Sequence, residues 1–496
     1  MKVLMISTDR KILETESVVS TRTREYAKLV DELRVVLLAR KEGEGWLRAM
    51  CNVYGECNKI IKSWGKKKII VLTSQDGLGH ILVAMLSLQF KFGWEAQIHT
   101  DILSPYFLQR SWKNYVQLFG YWIAGKRASG LRVVSIRIKH SIISRWRVAE
   151  ERILVLPIFV DVVKFANVSA TDLRQKYSQF DHIILMASRF TKEKNIALAF
   201  DVLKLVHKRY PKTGILIAGE GLLRSELEIK TKTYPPAERA GNLTPNTYFL
   251  LWQTSEQLAE LYKSADVFLL TSNYEGYGQT LVEAAAAGCA IVTTDVGLVG
   301  EVVNAHNALI APVGDADKLA QHISFLFQNV KAREMMSERL QTAIQNLPDK
   351  EATLSRQREH WVLCGQRVIG GLPMIARYII SGGTAAFTDI ALLYFFTSVL
   401  GIWYLISAIL AFLFAFWVSF FMQKHWTFQD NSGRTHAQAV NYFVVAVINL
   451  SVNTLLMYYL VDLLHVWYLL AQIIVGGLIA FSSFFIYRRF IFKNSK

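Results

Sequence analysis

Four apolar stretches near the end of the chain restrict its fold more than any other feature. They cover about 376–398, 403–423, 440–461 and 467–487. Each is long enough to cross a hydrocarbon core of about 30 Å as a helix. The Lys and Arg residues around them fall on one side only. Arg367 precedes the first stretch and Arg377 sits at its first residues. Lys424, His425 and Arg434 lie between the second and third, and Arg488 and Arg489 follow the fourth. The other two turns carry no Lys or Arg. Cations are kept on the cytoplasmic side of membrane proteins. The pattern therefore predicts a four-span cell-membrane protein with both termini, and everything before the first span, in the cytoplasm.

The rest of the chain is ordinary globular sequence. Of 496 residues, 52% are hydrophobic and the mean hydropathy is +0.23, but the excess sits in the apolar block. The last 126 residues hold 7 Lys+Arg and 3 Asp+Glu; the other 370 hold 49 and 37, a net charge of +12. A basic globular part tied to a membrane suits anionic headgroups. Nucleic acid would also attract it, yet no nucleic-acid motif is present, and none is expected as a partner. Cys51, Cys57, Cys289 and Cys364 lack metal-ligand spacing and fit a reduced compartment. The apolar run at Met1–Ser7 is too short for a signal peptide and reads as a first strand.

Strands and helices alternate through this part. Strands are expected at Val3–Ser7, Val35–Ala39, Ile69–Thr73, Glu95–His99, Leu131–Ser135 and Ile153–Leu156, with a polar helix at Arg22–Leu33. Further strands are expected at Ile183–Ala187, Ile215–Ala218 and Ala265–Leu270. Such alternation gives parallel α/β sheets, which bind ligands at the carboxyl ends of their strands.

The stretch from Ser272 to Ala284 contains Glu275-Gly276-Tyr277-Gly278 and then Glu283. It reads as a strand end, a glycine loop and a helix from Leu281 to Ala287, closed by Gly288. Gly276 and Gly278 let the backbone turn tightly and approach a ligand. The first amides of the helix favour an anion. Two carboxylates beside an anion site suit a ligand with both hydroxyls and phosphates, such as a nucleotide sugar. The stretch resembles the Glu, seven residues, Glu motif of retaining GT-B glycosyltransferases, in particular the family-4 group. In that family the first Glu contacts the donor sugar and the second the nucleotide ribose, which the resemblance carries onto Glu275 and Glu283. Ser188-Arg189-Phe190 followed by Lys194 resembles the family's diphosphate clamp, with Arg as a fork and Lys as a point charge. Asn195 stands where Gly is usual and tolerates the same left-handed backbone. Gly219, after the next strand, is also family-like, and Tyr277 and Gly278 join Gly276 in the expected donor loop. His99 is expected on the crevice face, near the transferred sugar or acceptor; the plainer alternative is a hydrogen-bonded strand-end histidine. Leu156–Asp161 with Phe165 resembles the family's hinge. The first loop, Ser7-Thr8-Asp9-Arg10, lacks the family's glycine pair. Asp315-Ala316-Asp317 resembles a metal motif but precedes a helix, so Asp315 reads as its N-cap. No metal and no cofactor are expected.

The implied fold is α/β GT-B, two Rossmann-like domains, followed by an all-α four-helix transmembrane domain. The expected domains are 1–160 (acceptor side), 161–345 (nucleotide sugar), 346–375 (return helix and linker) and 376–496 (membrane). The membrane block repeats itself at an offset of 64: Ser419-Phe420-Phe421 matches Ser483-Phe484-Phe485, and Lys424-His425-Trp426 matches Arg488-Arg489-Phe490. This predicts a parallel repeat of two hairpins. The block resembles the GtrA-like family, which is linked to polyprenyl-phosphate sugars. Asp389, Asn449, Asn453 and Gln472 lie at membrane depth, where polar groups mark a path or bond neighbouring helices. Lys424, Arg488 and Arg489 are candidates to meet a lipid phosphate, or to serve as topology anchors. Together the resemblances imply a retaining hexosyltransferase. It would take a nucleotide sugar to a polyprenyl phosphate or lipid-linked glycan in surface polysaccharide or glycolipid synthesis. The membrane block would flip the product, or only anchor the enzyme.

Overall fold

The computed structural model describes residues 1–15, 17–39, 45–65, 68–109, 111–170, 173–233, 246–428, 430 and 432–492. It divides into two compact units, the larger running essentially from Met1 to Ile369 and the smaller from Gly370 onward.

The larger unit contains two parallel sheets. The first is built from β1 (Lys2–Ser7), β2 (Glu32–Leu37), β3 (Ile70–Ser74), β4 (Lys91–Ile98), β5 (Gly130–Val133) and β6 (Ile153–Val155), in the order β2-β1-β3-β4-β5-β6. The second uses β7 (His182–Ala187), β8 (Thr213–Ala218), β9 (Thr247–Leu250), β10 (Val267–Leu270), β11 (Ile291–Thr294) and β12 (Leu309–Ala311), in the order β12-β11-β10-β7-β8-β9. β3, β7, β8, β10 and β11 are buried almost throughout. That is why they read as unbroken apolar runs rather than alternating ones. Each sheet has one place where the strand order reverses, between β1 and β3 and between β7 and β10. Crevices form there.

Several expected bounds move; β4, for example, begins at Lys91 rather than Glu95. The polar helix is Val18–Ala27, begun by Ser17, whose hydroxyl accepts from the Ser20 amide at 3.0 Å. Strand two starts at Glu32, where parallel pairing with Lys2 takes over residues expected to be helical. Two long helices, Trp46–Trp64 and Lys113–Arg127, had no sequence assignment.

The helix Lys350–Gln366 returns to the first sheet, beyond the second sheet in sequence. Its anchor is Glu95 on β4, which has no solvent exposure. The carboxylate accepts from Gln357 Nε2 at 2.6 Å, Trp361 Nε1 at 2.9 Å, Gln97 Nε2 at 2.8 Å and Thr73 Oγ1 at 2.8 Å. Burial alone would raise its pKa. His360, Arg132 and the donated hydrogen bonds outweigh that and hold it low, so the group stays ionised. Gly93 and Gly130 let the helix come this close: a Cβ on Gly130 would lie 2.7 Å from Cys364 Sγ. Removing one member of a buried charged network leaves its partners unsatisfied, which costs about 3–5 kcal/mol. Glu95→Ala is therefore expected to lower the melting temperature of the purified chain by several degrees. Unchanged melting would contradict the anchoring role.

The smaller unit holds four apolar helices long enough to cross a membrane: Met374–Val399, Tyr404–Thr427, Thr435–Leu463 and Ile473–Ile491. The first and second pack together, as do the third and fourth. The turn after Phe395–Val399 and the turn after Tyr459–Leu463 close alike. The Leu400 amide donates to Phe395 O and the Leu464 amide to Tyr459 O, each at 3.1 Å, and Gly401 and His465 both have positive φ. Aromatic residues fill one end of the bundle, where Phe420, Phe428, Tyr442, Phe484, Tyr487 and Phe492 form a core.

Candidate functional site

The loops after β7 and β10 meet where the second sheet reverses its order. Asn195 adopts φ 43° and ψ 48°, the left-handed conformation expected of it. Its side-chain amide donates to Asn273 Oδ1 at 3.0 Å, and the Asn273 amide donates to Glu193 O at 2.8 Å. The Thr271 hydroxyl lies 3.0 Å from both Lys194 O and Asn195 O. This stitching sets Lys194 Nζ 2.5 Å from Glu275 Oε1. Ser272 Oγ donates to the same carboxylate oxygen at 2.7 Å. Both members of the ion pair are largely shielded, so it is held more firmly than a surface pair. Arg189, just after the end of β7, is exposed. Of the two expected clamp cations, then, Arg189 is exposed, whereas Lys194 is engaged by Glu275.

Glycine geometry shapes the same loops. Gly278 has φ 88° and begins the helix Gln279–Ala286, and Gly288 (φ 81°) follows its end. Gly219 has φ 139°, and a Cβ there would strike the Ser188 carbonyl, so the loops after β7 and β8 run side by side. Gly276 is needed for another reason. A Cβ on it would collide with the carbonyl of His99, at the end of β4 in the first sheet. The loop at Gly276 and the strand end at His99 are therefore in direct contact. His99 is half-buried, and its Nε2 lies 3.0 Å from Gln97 Oε1. Burial, with Arg132 and Arg22 nearby, pushes its pKa well down and keeps the ring neutral.

Glu283 lies on the buried face of the helix Gln279–Ala286. Burial raises its pKa to about 7, although Tyr262 and Gln279 hydrogen-bond it. The Tyr262 hydroxyl donates to Glu283 Oε2 at 3.3 Å. Phe165, from the predicted hinge segment, packs on Tyr262 with ring centroids 6.3 Å apart. Tyr277 is buried, and its carbonyl accepts from the Leu298 amide at 3.0 Å. Asp315 caps the helix Ala316–Gln328 by accepting from the Lys318 amide at 2.8 Å, as expected.

Sequence reasoning missed Ser272, Tyr262 and Arg137. Arg137 joins the two sheets' loops: it forms an ion pair with Asp295, donates to Val299 O at 3.0 Å, and its amide donates to Glu301 Oε1 at 3.1 Å. Nothing local marks these residues, since their partners are distant in sequence.

In the smaller unit the structure corrects the reading of Lys424 as a lipid-phosphate contact. Lys424 is buried, and Nζ donates to Gln438 Oε1 at 2.7 Å, Thr435 Oγ1 at 2.8 Å and Ser432 O at 3.0 Å. All three protons are used internally. Gln438 Nε2 in turn donates to Asp430 Oδ2 at 2.7 Å and Ile491 O at 3.0 Å, tying three helix ends together. Arg488 and Arg489 remain exposed and line a shallow depression of about 530 Å³ with Phe485, Ile486 and Phe490. Asn449 and Asn453 line a groove of about 470 Å³ with Phe412, Phe443, Leu450 and Ile479. Asn449 Nδ2 donates to Ser483 Oγ at 2.8 Å. Asp389 is half-buried on the first span but does not line that groove.

Two parallel sheets whose loops meet at one crevice define a GT-B fold, and similarity to solved structures agrees. The Anabaena protein HepE in complex with UDP-glucose matches 73% of this chain and 99% of its own, with TM-score 0.56 and 19% identity. Sucrose-phosphate synthase from Thermosynechococcus elongatus matches 73% of this chain and 98% of its own, with TM-score 0.59 and 17% identity. Residues 171–342 match the family model for glycosyl transferases group 1, and residues 377–492 match that for the GtrA/DPMS transmembrane domain. The chain is thus a group 1 glycosyltransferase domain of GT-B fold joined to a GtrA/DPMS transmembrane domain. Among curated relatives, the phosphatidyl-myo-inositol mannosyltransferase of Mycolicibacterium smegmatis is 30% identical over 181 residues, covering 36% of this chain and 44% of that protein. The capsular polysaccharide biosynthesis glycosyltransferase CapM of Staphylococcus aureus is 24% identical over 245 residues, covering 48% and 62%. The chain spans about a third of the first curated relatives it matches.

Proposed function

We propose that the protein is a membrane-bound retaining glycosyltransferase. It would move a hexose from a nucleotide sugar onto a polyprenyl phosphate or a glycan already on that lipid. The observation that carries this is the junction of the β7 and β10 loops, where Lys194 meets Glu275, with Arg189 exposed earlier on the same β7 loop. A solved relative of the same fold is a UDP-glucose complex, and one curated relative is named for mannosyl transfer to phosphatidyl-myo-inositol. In this reading Glu275 accepts from donor-sugar hydroxyls and Glu283 from the ribose. The bond between the anomeric carbon and the diphosphate oxygen breaks, with its electron pair leaving on the diphosphate. The acceptor oxygen bonds to that carbon on the same face; a glycan hydroxyl gives its proton to the leaving diphosphate, whereas a phosphate acceptor attacks as its oxyanion. Arg189 and the amides of the donor loop stabilise the departing charge, the main catalytic contribution. No metal is called for. The cations at one end of the spans favour a transferase and both termini in the cytoplasm.

The role of the membrane block follows from its groove. Its lining is apolar except for Asn449 and Asn453. It suits an isoprenoid chain better than a passing sugar. We therefore favour a block that holds the lipid acceptor, with flipping by way of Asp389 and Asn453 as the second reading. The test is mass spectrometry of lipid products after membranes containing the protein are incubated with a panel of nucleotide sugars. A new glycolipid that needs Arg189 supports the proposal; no product with any donor overturns it.

A pH effect follows from Glu283. Below about pH 7 the free protein holds this group protonated. The ribose hydroxyls need the carboxylate as acceptor. Nucleotide binding is thus expected to weaken as pH falls below about 7, by up to about tenfold per unit. Glu283→Gln should flatten the profile. Calorimetric titration from about pH 5.5 to about pH 8, a range that brackets this ionisation, checks this. An equally steep profile in the variant would remove Glu283 from the ribose site.

A further inference from the structure

We propose that the outer face of the helix Lys113–Arg127 is a lipid-docking surface, by which the larger unit seats in the headgroup region of an anionic bilayer. The helix has two unlike faces. Its inner face is fixed to the fold. Gln117 Oε1 accepts from the Gly77 amide at 2.6 Å, Tyr121 packs edge-on against His80 at 4.9 Å, and Ala124 is buried. Gly120 lies so close to Gly77 that a Cβ would strike its carbonyl. The outer face carries aromatics at helical spacing that nothing among the described residues covers: Trp112 is 73% exposed, Tyr115 60%, Phe119 54% and Trp122 44%. Phe119 and Trp122 are stacked, with centroids 6.0 Å apart. A row of large aromatics in water is costly unless a partner takes it up.

Charge identifies the partner. Residues 102–149 contain nine Lys and Arg and no Asp or Glu; of these, Arg132 is buried and Arg137 and Lys139 pair with Asp295 and Glu150, so the others supply the free charge. Lys113 and Arg127 are exposed at the two ends of the helix. Arg145 and Arg147 are exposed at the end of the neighbouring helix Ile136–Trp146, to which Lys126 Nζ is bonded through Trp146 O at 2.8 Å. An aromatic stripe rimmed by cations and free of acids is the composition of an interfacial helix, its rings at headgroup depth and its cations on lipid phosphates. The same chain carries four helices long and apolar enough to cross a membrane and matches the GtrA/DPMS transmembrane domain, so a bilayer belongs to its surroundings. The surface also connects to the candidate site. Asn114 Nδ2 donates to Phe107 O at 2.6 Å, and the Phe107 ring meets Tyr274 of the donor loop edge-on at 5.9 Å.

The inference does not depend on the transferase reading, and its test does not use activity. The full chain is placed in nanodiscs of phosphatidylcholine, with or without phosphatidylglycerol. Cys51, the exposed cysteine, is replaced by Ser. A single fluorophore is attached at Phe119→Cys, with Trp112→Cys as a second site and Glu334→Cys, exposed on another helix, as control. With phosphatidylglycerol present, brominated lipid chains should quench the labels at 119 and 112 several-fold more than the control. Aqueous iodide should quench them less. If iodide reaches 119 and 112 as freely as 334 in both lipids, the proposal is overturned. Labels shielded from both quenchers would mean a protein partner covers the face, which also overturns it.

Discussion

Glu275→Gln is expected to lower turnover by about 10²–10³-fold, the scale on which a transition state suffers when one preorganised polar group is removed, while leaving nucleotide affinity nearly unchanged. The carboxylate is held from two sides, by Lys194 Nζ at 2.5 Å and Ser272 Oγ at 2.7 Å. Both bonds fix its direction before any ligand arrives. A glutamine keeps the shape but removes the charge and presents an amide hydrogen-bond donor at one of the two oxygen positions. Lys194 then has no counter-charge, and the loop after β7 is tied less firmly to the loop after β10. Thr271 and the Asn195–Asn273 bond remain, so the fold should persist. Glu283, the residue proposed for the ribose, lies on the following helix and should be untouched. Initial rates and calorimetric nucleotide affinities on the same preparations separate the two effects. Turnover equal to the parent's would remove Glu275 from the donor site.

What could be read from the sequence was what depends on neighbours in sequence. Asn195 was legible because its left-handed backbone is a local property of a short polar side chain after β7. Gly288 and Asp315 were legible as helix ends for the same reason. The buried strands showed as apolar runs, and the spans by length. What failed depended on distant partners. The pairing of Lys194 with Glu275 joins residues 81 apart. Lys424 looks like a basic residue at a span end, and only the arrival of Gln438 from the next helix consumes its protons. The helix Lys350–Gln366 buries Gln357, His360, Trp361 and Cys364, a mixed face without an apolar stripe. Its segment could be anticipated from the family resemblance, but its docking on Glu95 could not. The start of β2 was misplaced because pairing with β1 overrode local helix preference.

Gly276→Ala is expected to reduce turnover by about 10²-fold or more, the usual cost of displacing a reacting group by roughly 1 Å. The added methyl has no space. It would overlap the His99 carbonyl and lie 3.0 Å from Thr100 Cα, all backbone atoms at the end of β4 that cannot rotate aside. Either the donor loop retreats, carrying Glu275 with it, or the two sheets' loops part. Arg137 opposes parting, because it bonds Asp295, Val299 and Glu301 from across the crevice. Loop retreat is therefore the cheaper response, and it disturbs the sugar end of the site first. Glu283 and Tyr262 lie on elements behind the loop, so nucleotide affinity should fall much less than turnover. The melting temperature should change little, since the core of the second sheet does not include this loop. Gly55→Ala, with nothing within 4 Å of the new methyl, is the matched control and should retain full activity. If Gly276→Ala turns over like that control, the contact between the donor loop and His99 is not part of the working crevice.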